Sequence, residues 1–326
     1  MTPFASRVRL NMNTWLKAAA LIAAVTALSS SMSAQWPAYT PPGVPKTADG
    51  KPDLTAPAPR TVDGHPDLTG VWVNGGFGVA GRRATAAGDG RGRAGGPAPD
   101  GRAGAPPADG RGRQGAAPTD GPPNANFGNV GGGFPDGLPF TPWAAELKKM
   151  RMAGNSKDNP DALCLPMGFM QFHTHPQPRK IVQTPAVSTI TYEANFGQRW
   201  IFTDGRTLPG PDAQPFWYGY SVGKWDGDTF IVESGGFRDD GWLDVQGSPF
   251  TDQLKLTERF RRVNYGTLQI DITVDDPKAY TKPWTVRVTQ RLTPDQEMIE
   301  FICNENDRFT SYLRGDFRVG PQGGRK

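Results

Sequence analysis

The chain has 326 residues, 37% of them hydrophobic, and a formal net charge of +4. Arg7, Arg9 and Lys17 are the only charged residues before position 35, so the chain without that segment carries 4 − 3 = +1. A nearly neutral chain excludes recognition of nucleic acid through bulk charge, and no later stretch supplies the roughly 20 apolar residues of a membrane-spanning helix.

Residues 1–34 have the layout of a secretory signal. The three basic residues precede an apolar run at 18–28, and small residues follow at Ser29, Ser30, Ser31, Ser33 and Ala34. Cleavage is expected after Ala34 and a periplasmic or secreted location follows. In such a compartment the two cysteines, Cys164 and Cys303, are expected to form one disulfide.

Residues 35–65 are expected to be a proline-rich extended arm. It holds an imperfect repeat, Asp49-Gly50-Lys51-Pro52-Asp53-Leu54-Thr55 and then Asp63-Gly64-His65-Pro66-Asp67-Leu68-Thr69. Two copies are too few for a solenoid. The second leads into a strand at Gly70-Val71-Trp72-Val73. Residues 81–137 are low in complexity, with seven arginines, five aspartates and few large apolar side chains. Little there offsets the entropy of ordering, so a disordered insert is expected, and residues 319–326 read as a disordered tail.

Order resumes with one short helix. Thr141 suits the N-cap, Pro142 the first helical position and Gly154 the stop. Trp143, Leu147 and Met150 share a face, and Lys148, Lys149 and Arg151 are expected to face water. Strands are then expected at 180–184, 187–193, 198–203, 217–225, 228–234, 254–263, 267–274, 286–292 and 297–303. Asp226-Gly227 is the residue pair that a two-residue hairpin turn demands. Sequential hairpins give the fold class: mostly β, an antiparallel meander forming a barrel or strongly curved sheet, as a single domain over 66–318. Alternation places Leu254, Leu256, Glu258, Phe260 and Arg262 on one face, with Glu258 and Arg262 too far apart to pair.

Several residues are candidates for chemistry. A carboxylate in an apolar lumen can act as acid or base, so Glu258 is a catalytic candidate, with Arg262 near an anion. Asp204 and His173 are further acid–base candidates. His173-Thr174-His175 would put two imidazoles on one side of a strand, a weak metal pattern without a third ligand; loop histidines are the simpler reading. Asp239, Asp240 and Asp244 lack the spacing of a calcium loop. Gly219-Tyr220-Ser221-Val222-Gly223 fits the nucleophile-elbow pattern but sits in a strand, where no helix follows. Trp217, Tyr220, Trp225, Tyr280, Lys282 and Trp284 are candidate ligand contacts, the last three on a polar, aromatic loop suited to a barrel mouth. No cofactor is expected.

Residues 139–314 resemble a family of exported bacterial proteins of unassigned role. The resemblance rests on Cys164-Leu165-Pro166, Ile181-Val182-Gln183-Thr184 and Thr203-Asp204-Gly205-Arg206. It continues in Gly219-x-Ser221-x-Gly223-x-Trp225-x-Gly227-Asp228-Thr229, Glu258-Arg259-Phe260-Arg261-Arg262 and the loop from Asp276 to Trp284. It implies no activity. Gly70-Val71-Trp72 also resembles the opening strand of lipocalins and other calycins, which implies a late basic residue packed on Trp72, with Arg314 as the candidate. The expected function is binding of a small apolar or aromatic molecule. The alternatives are a cofactor-free hydrolase, lyase or isomerase, and a cell-envelope structural protein.

Overall fold

Alternating inward and outward side chains build nine strands. They are β1 (Gly70–Asn74), β2 (Arg179–Gln183), β3 (Val187–Tyr192), β4 (Gln198–Phe202), β5 (Tyr220–Asp226), β6 (Thr229–Gly235), β7 (Lys255–Asn264), β8 (Thr267–Asp275) and β9 (Trp284–Leu292). In the computed structural model, which describes residues 41–75, 121–210 and 212–303, each strand pairs with the next and β9 pairs with β1, closing a barrel. The signal segment, residues 76–120 and the chain from 304 onward, Arg314 included, lie outside the described residues.

The tenth expected strand, at 297–303, does not form. The reason is topological: the free edge of β9 is already taken by β1, through Trp72↔Leu292 and Asn74↔Gln290. Nine strands cannot alternate in direction around a closed ring, so one neighbouring pair must be parallel. That pair is β4–β5, matched only at Ile201↔Ser221 and Phe202↔Val222. The β5–β6 hairpin therefore projects beyond the end of β4.

Large apolar side chains fill the interior, among them Trp72, Ile190, Phe230, Phe260, Ile270 and Val286, at about 1.5–3 kcal/mol of stabilisation per fully buried chain. One end is closed by a helix that alternation did not foretell. Helix α1 (Pro142–Ala153) begins and ends as expected, with Leu147 half-buried and Lys149 facing water as expected, but the rest of its face is shifted. Trp143 and Met150 are exposed, whereas Lys148 sits over the Phe140 ring and Arg151 over the Trp242 ring, at 5.3 and 4.5 Å. Helix α2 (Phe169–Thr174) is buried at every residue. Gly168 admits it, since a Cβ there would fall 1.7 Å from the Trp242 carbonyl oxygen.

The arm is not extended. Both repeat copies fold into the same turn, with Thr47 N–H to Lys51 O and Gly50 N–H to Thr47 O mirrored by Thr61 N–H to His65 O and Gly64 N–H to Thr61 O. Gly50 and Gly64 adopt φ of +80° and +86°, the left-handed region such a turn needs. Leu54 and Ala56 accept from the β7–β8 turn, and Leu68 is buried. The insert is also shorter on its C-terminal side than expected. Residues 121–137 pack on the barrel, with Ala125 N–H bonded to Arg287 O and Val130 fully buried. Cys164 and Cys303 form the expected disulfide, their Cα atoms 5.6 Å apart.

Candidate functional site

The two ends of the barrel differ. At the α2 end, inward positions are polar but sealed. Glu258 on β7 lies at the centre of a cluster. His173 Nε2 and Arg199 Nη1 each reach Glu258 Oε1 at 2.9 Å, and Arg199 Nη2 contacts Oε2. Arg199 also donates to Ser221 Oγ at 3.1 Å and Ser234 Oγ at 2.8 Å. All five residues are buried. Ser221 thus serves the guanidinium and meets no histidine, as its strand setting implied.

Burial by itself would raise the Glu258 carboxyl, but the Arg199 charge and the bonds from His173 and Arg199 outweigh it and hold the group down at about 2. Burial pushes His173 below its ordinary 6.5, against the pull of Glu258. His173 is therefore neutral, with its proton on Nε2 toward the carboxylate; Nδ1 has no hydrogen-bond partner among the described residues. Arg179, also buried, binds the carbonyl oxygens of His173, His175 and Gln177 at 2.7, 2.7 and 2.8 Å. It thereby ties off the end of α2 with no carboxylate in contact among the described residues.

The other candidates scatter. His173 is helical and His175 follows the helix, so the two rings do not share a side. His175 packs edge-on against Phe127, and its Nδ1 accepts from Gln177 N–H. Among the described residues no cluster of three or more His, Cys, Asp or Glu is placed to hold a metal ion. Asp204 lies on an exposed turn with its carboxylate taken by Arg206, at 2.8 Å from Nε, away from the Glu258 cluster. Asp244 caps Val130 and Ser248, while Asp240 binds Arg238.

The aromatic candidates divide as well. Tyr280 and Trp284 are buried against each other, centroids 5.3 Å apart, and Lys282 is exposed, so that loop is packing rather than an open mouth. Trp217 lies under Arg238. Tyr220 faces outward, stacked on Phe202 with its hydroxyl taking a bond from Arg206. Arg262 stands over Trp72, 5.0 Å from the ring, in the role the calycin resemblance offered to Arg314. It donates to the carbonyl oxygens of Asp67 and Tyr265, which ties the arm to the barrel.

Trp225 is the exception. It is an inward position of the projecting hairpin, at the end of the barrel opposite α2. A cleft of about 580 Å³ opens there. Inward-facing Gln183, Ser188, Gly223 and Trp225 form its floor, the turns at Thr184 and Thr203 its sides, and the second arm repeat its cover. The cleft exists because β4 ends at Phe202 while β5 runs on. The His65 ring stacks on Trp225, centroids 4.6 Å apart and planes 5° apart. Arg60 holds the hairpin tip through two contacts to Asp228, at 2.8 and 2.6 Å.

Arg179 and Arg199 escaped the sequence reading, although alternation along β4 puts Arg199 on the same face as Ile201. Val62 and His65 escaped it too. Their signal was the difference between the two repeats and the residue just before each: the first has Ala48 and Lys51 where the second has Val62 and His65. No family model, curated protein or solved structure matches this chain.

Proposed function

We propose that the protein is an exported binding protein for a small, largely apolar or aromatic compound, held in the mouth cleft rather than deep in the lumen. The cleft carries this reading. Its 580 Å³ falls within the roughly 300–1,000 Å³ of small-molecule sites. It offers an indole surface at Trp225 and a few polar groups at Thr184, Ser188, Thr203 and Lys224 to orient a ligand. Export is supported by the N-terminal pattern and by the disulfide, which suits an oxidising compartment.

An acid–base enzyme built on Glu258 and His173 fits less well. A general acid or base must come within hydrogen-bond reach of its substrate, and these side chains are 0% and 1% exposed, Glu258 sealed in the lumen and His173 on the buried helix α2. The test is native mass spectrometry of protein recovered from the cell envelope. The polypeptide should begin at Gln35 and carry a retained small molecule that Trp225→Ala loses. A retained molecule that survives Trp225→Ala, or catalysis abolished by Glu258→Gln in a folded variant, would overturn the assignment.

A further inference from the structure

We propose that the ligand presents a planar aromatic ring to Trp225, and that His65 covers that face of the indole in the free protein as a built-in stand-in. This rests on the mouth cleft being the binding site and adds the class of ligand it takes.

The repeat supplies an internal control. The two copies share Thr, Asp, Gly, Pro, Asp and Leu at matching places, and the Thr, the first Asp and the Gly make the turn's hydrogen bonds. Lys51, the counterpart of His65, reaches its own Asp49 at 2.7 Å and is 78% exposed. The turn therefore does not require an aromatic ring at that position. His65 instead lies flat on Trp225, the arrangement a ligand ring would adopt.

The exchange asks little of the fold. The second repeat stays anchored by Arg60 on Asp228, by Leu68 N–H on the Gln183 amide oxygen at 2.8 Å, and by buried Leu68. Only the imidazole has to rotate to another rotamer for the indole face to open. A fused bicyclic ring covers more of an indole than a five-membered ring does, so the trade favours the ligand. Val62, fully exposed and lining the same cleft, is placed to cover its far side. The counterpart of Val62 is Ala48, a shorter side chain.

The test uses two alcohols of similar size, planar 2-naphthol and its saturated counterpart decahydro-2-naphthol, titrated by calorimetry into disulfide-intact protein. Wild type should favour 2-naphthol by roughly tenfold, the scale of a stacking contact. Trp225→Leu should abolish the preference. His65→Ala, on the surface arm and checked for unchanged melting, should tighten 2-naphthol binding because the competitor is gone. Equal binding of the two alcohols by wild type, or weaker 2-naphthol binding by His65→Ala, overturns the stand-in while leaving the cleft as a binding site. Binding of neither alcohol, together with no retained molecule in the native mass spectrum, overturns both.

Discussion

Arg199 on β4 grips Glu258 on β7 across the lumen, although β5 and β6 lie between those strands in the barrel. The pair ties opposite walls together, and His173 extends the tie to α2. Removing one partner strands the other charge without solvent. Glu258→Gln should therefore cost about 3–5 kcal/mol, measured by urea unfolding. Replacing both groups with apolar side chains, Arg199→Met with Glu258→Leu, should recover most of that loss. A double variant as unstable as the single would show that the pair itself is strongly stabilising.

Acid should weaken the fold in two stages. The folded values of His173 and His175 lie below 6.5, both through burial, with His175 at about 4. The unfolded chain thus takes up protons first, and stability falls as pH drops below about 6.5. Glu258, held at about 2 against an ordinary 4.5, adds stability that is present above 4.5 and lost as pH falls toward 2. The melting temperature of His173→Gln should fall less between about pH 7 and about pH 5 than that of wild type. An unchanged slope would assign the acid response to other groups.

Arg262 is the bolt between arm and barrel. Its guanidinium meets Trp72 and two carbonyl oxygens at once, a geometry that a lysine ammonium cannot reproduce. In Arg262→Lys, limited proteolysis should cut within residues 41–69 before the barrel is cleaved. A cleavage pattern identical to that of wild type would show that Leu54, Leu68 and Arg60 hold the arm without it.

The disulfide closes a span of 139 residues, worth roughly 4–5 kcal/mol where chain entropy dominates. Among the described residues, 293–303 are otherwise held by Thr293 on Val71 O, Lys180 on Glu297 and Ile299 N–H on Glu193. Cys303→Ser paired with Cys164→Ser should lower the melting temperature. It should also make residues 297–303 the first to exchange amide hydrogens, while β7 and β8 stay protected.

Much of the barrel was legible because its signals are local. Asp226-Gly227 fixed one hairpin, and alternation put Glu258 inside. What was missed depends on closure and packing. Residues 297–303 alternate like a strand, yet the closed ring leaves no edge for them. Phe169-Met170-Gln171-Phe172 is too short to show a helical period, and only the space inside the barrel makes it a plug. On α1 Leu147 and Lys149 sit as the pattern suggested, but Trp143 and Met150 give way, because aromatic rings and Asp244 offer the cations Lys148 and Arg151 a better seat.

The most direct measurement follows the indole N–H signals in a nitrogen–proton correlation spectrum while 2-naphthol is added. Binding at the mouth predicts that the Trp225 signal moves while those of buried Trp72 and Trp284 stay in place. Movement of Trp72 and Trp284 without Trp225, or no movement at saturating 2-naphthol, would contradict a ligand site at the open end of this barrel.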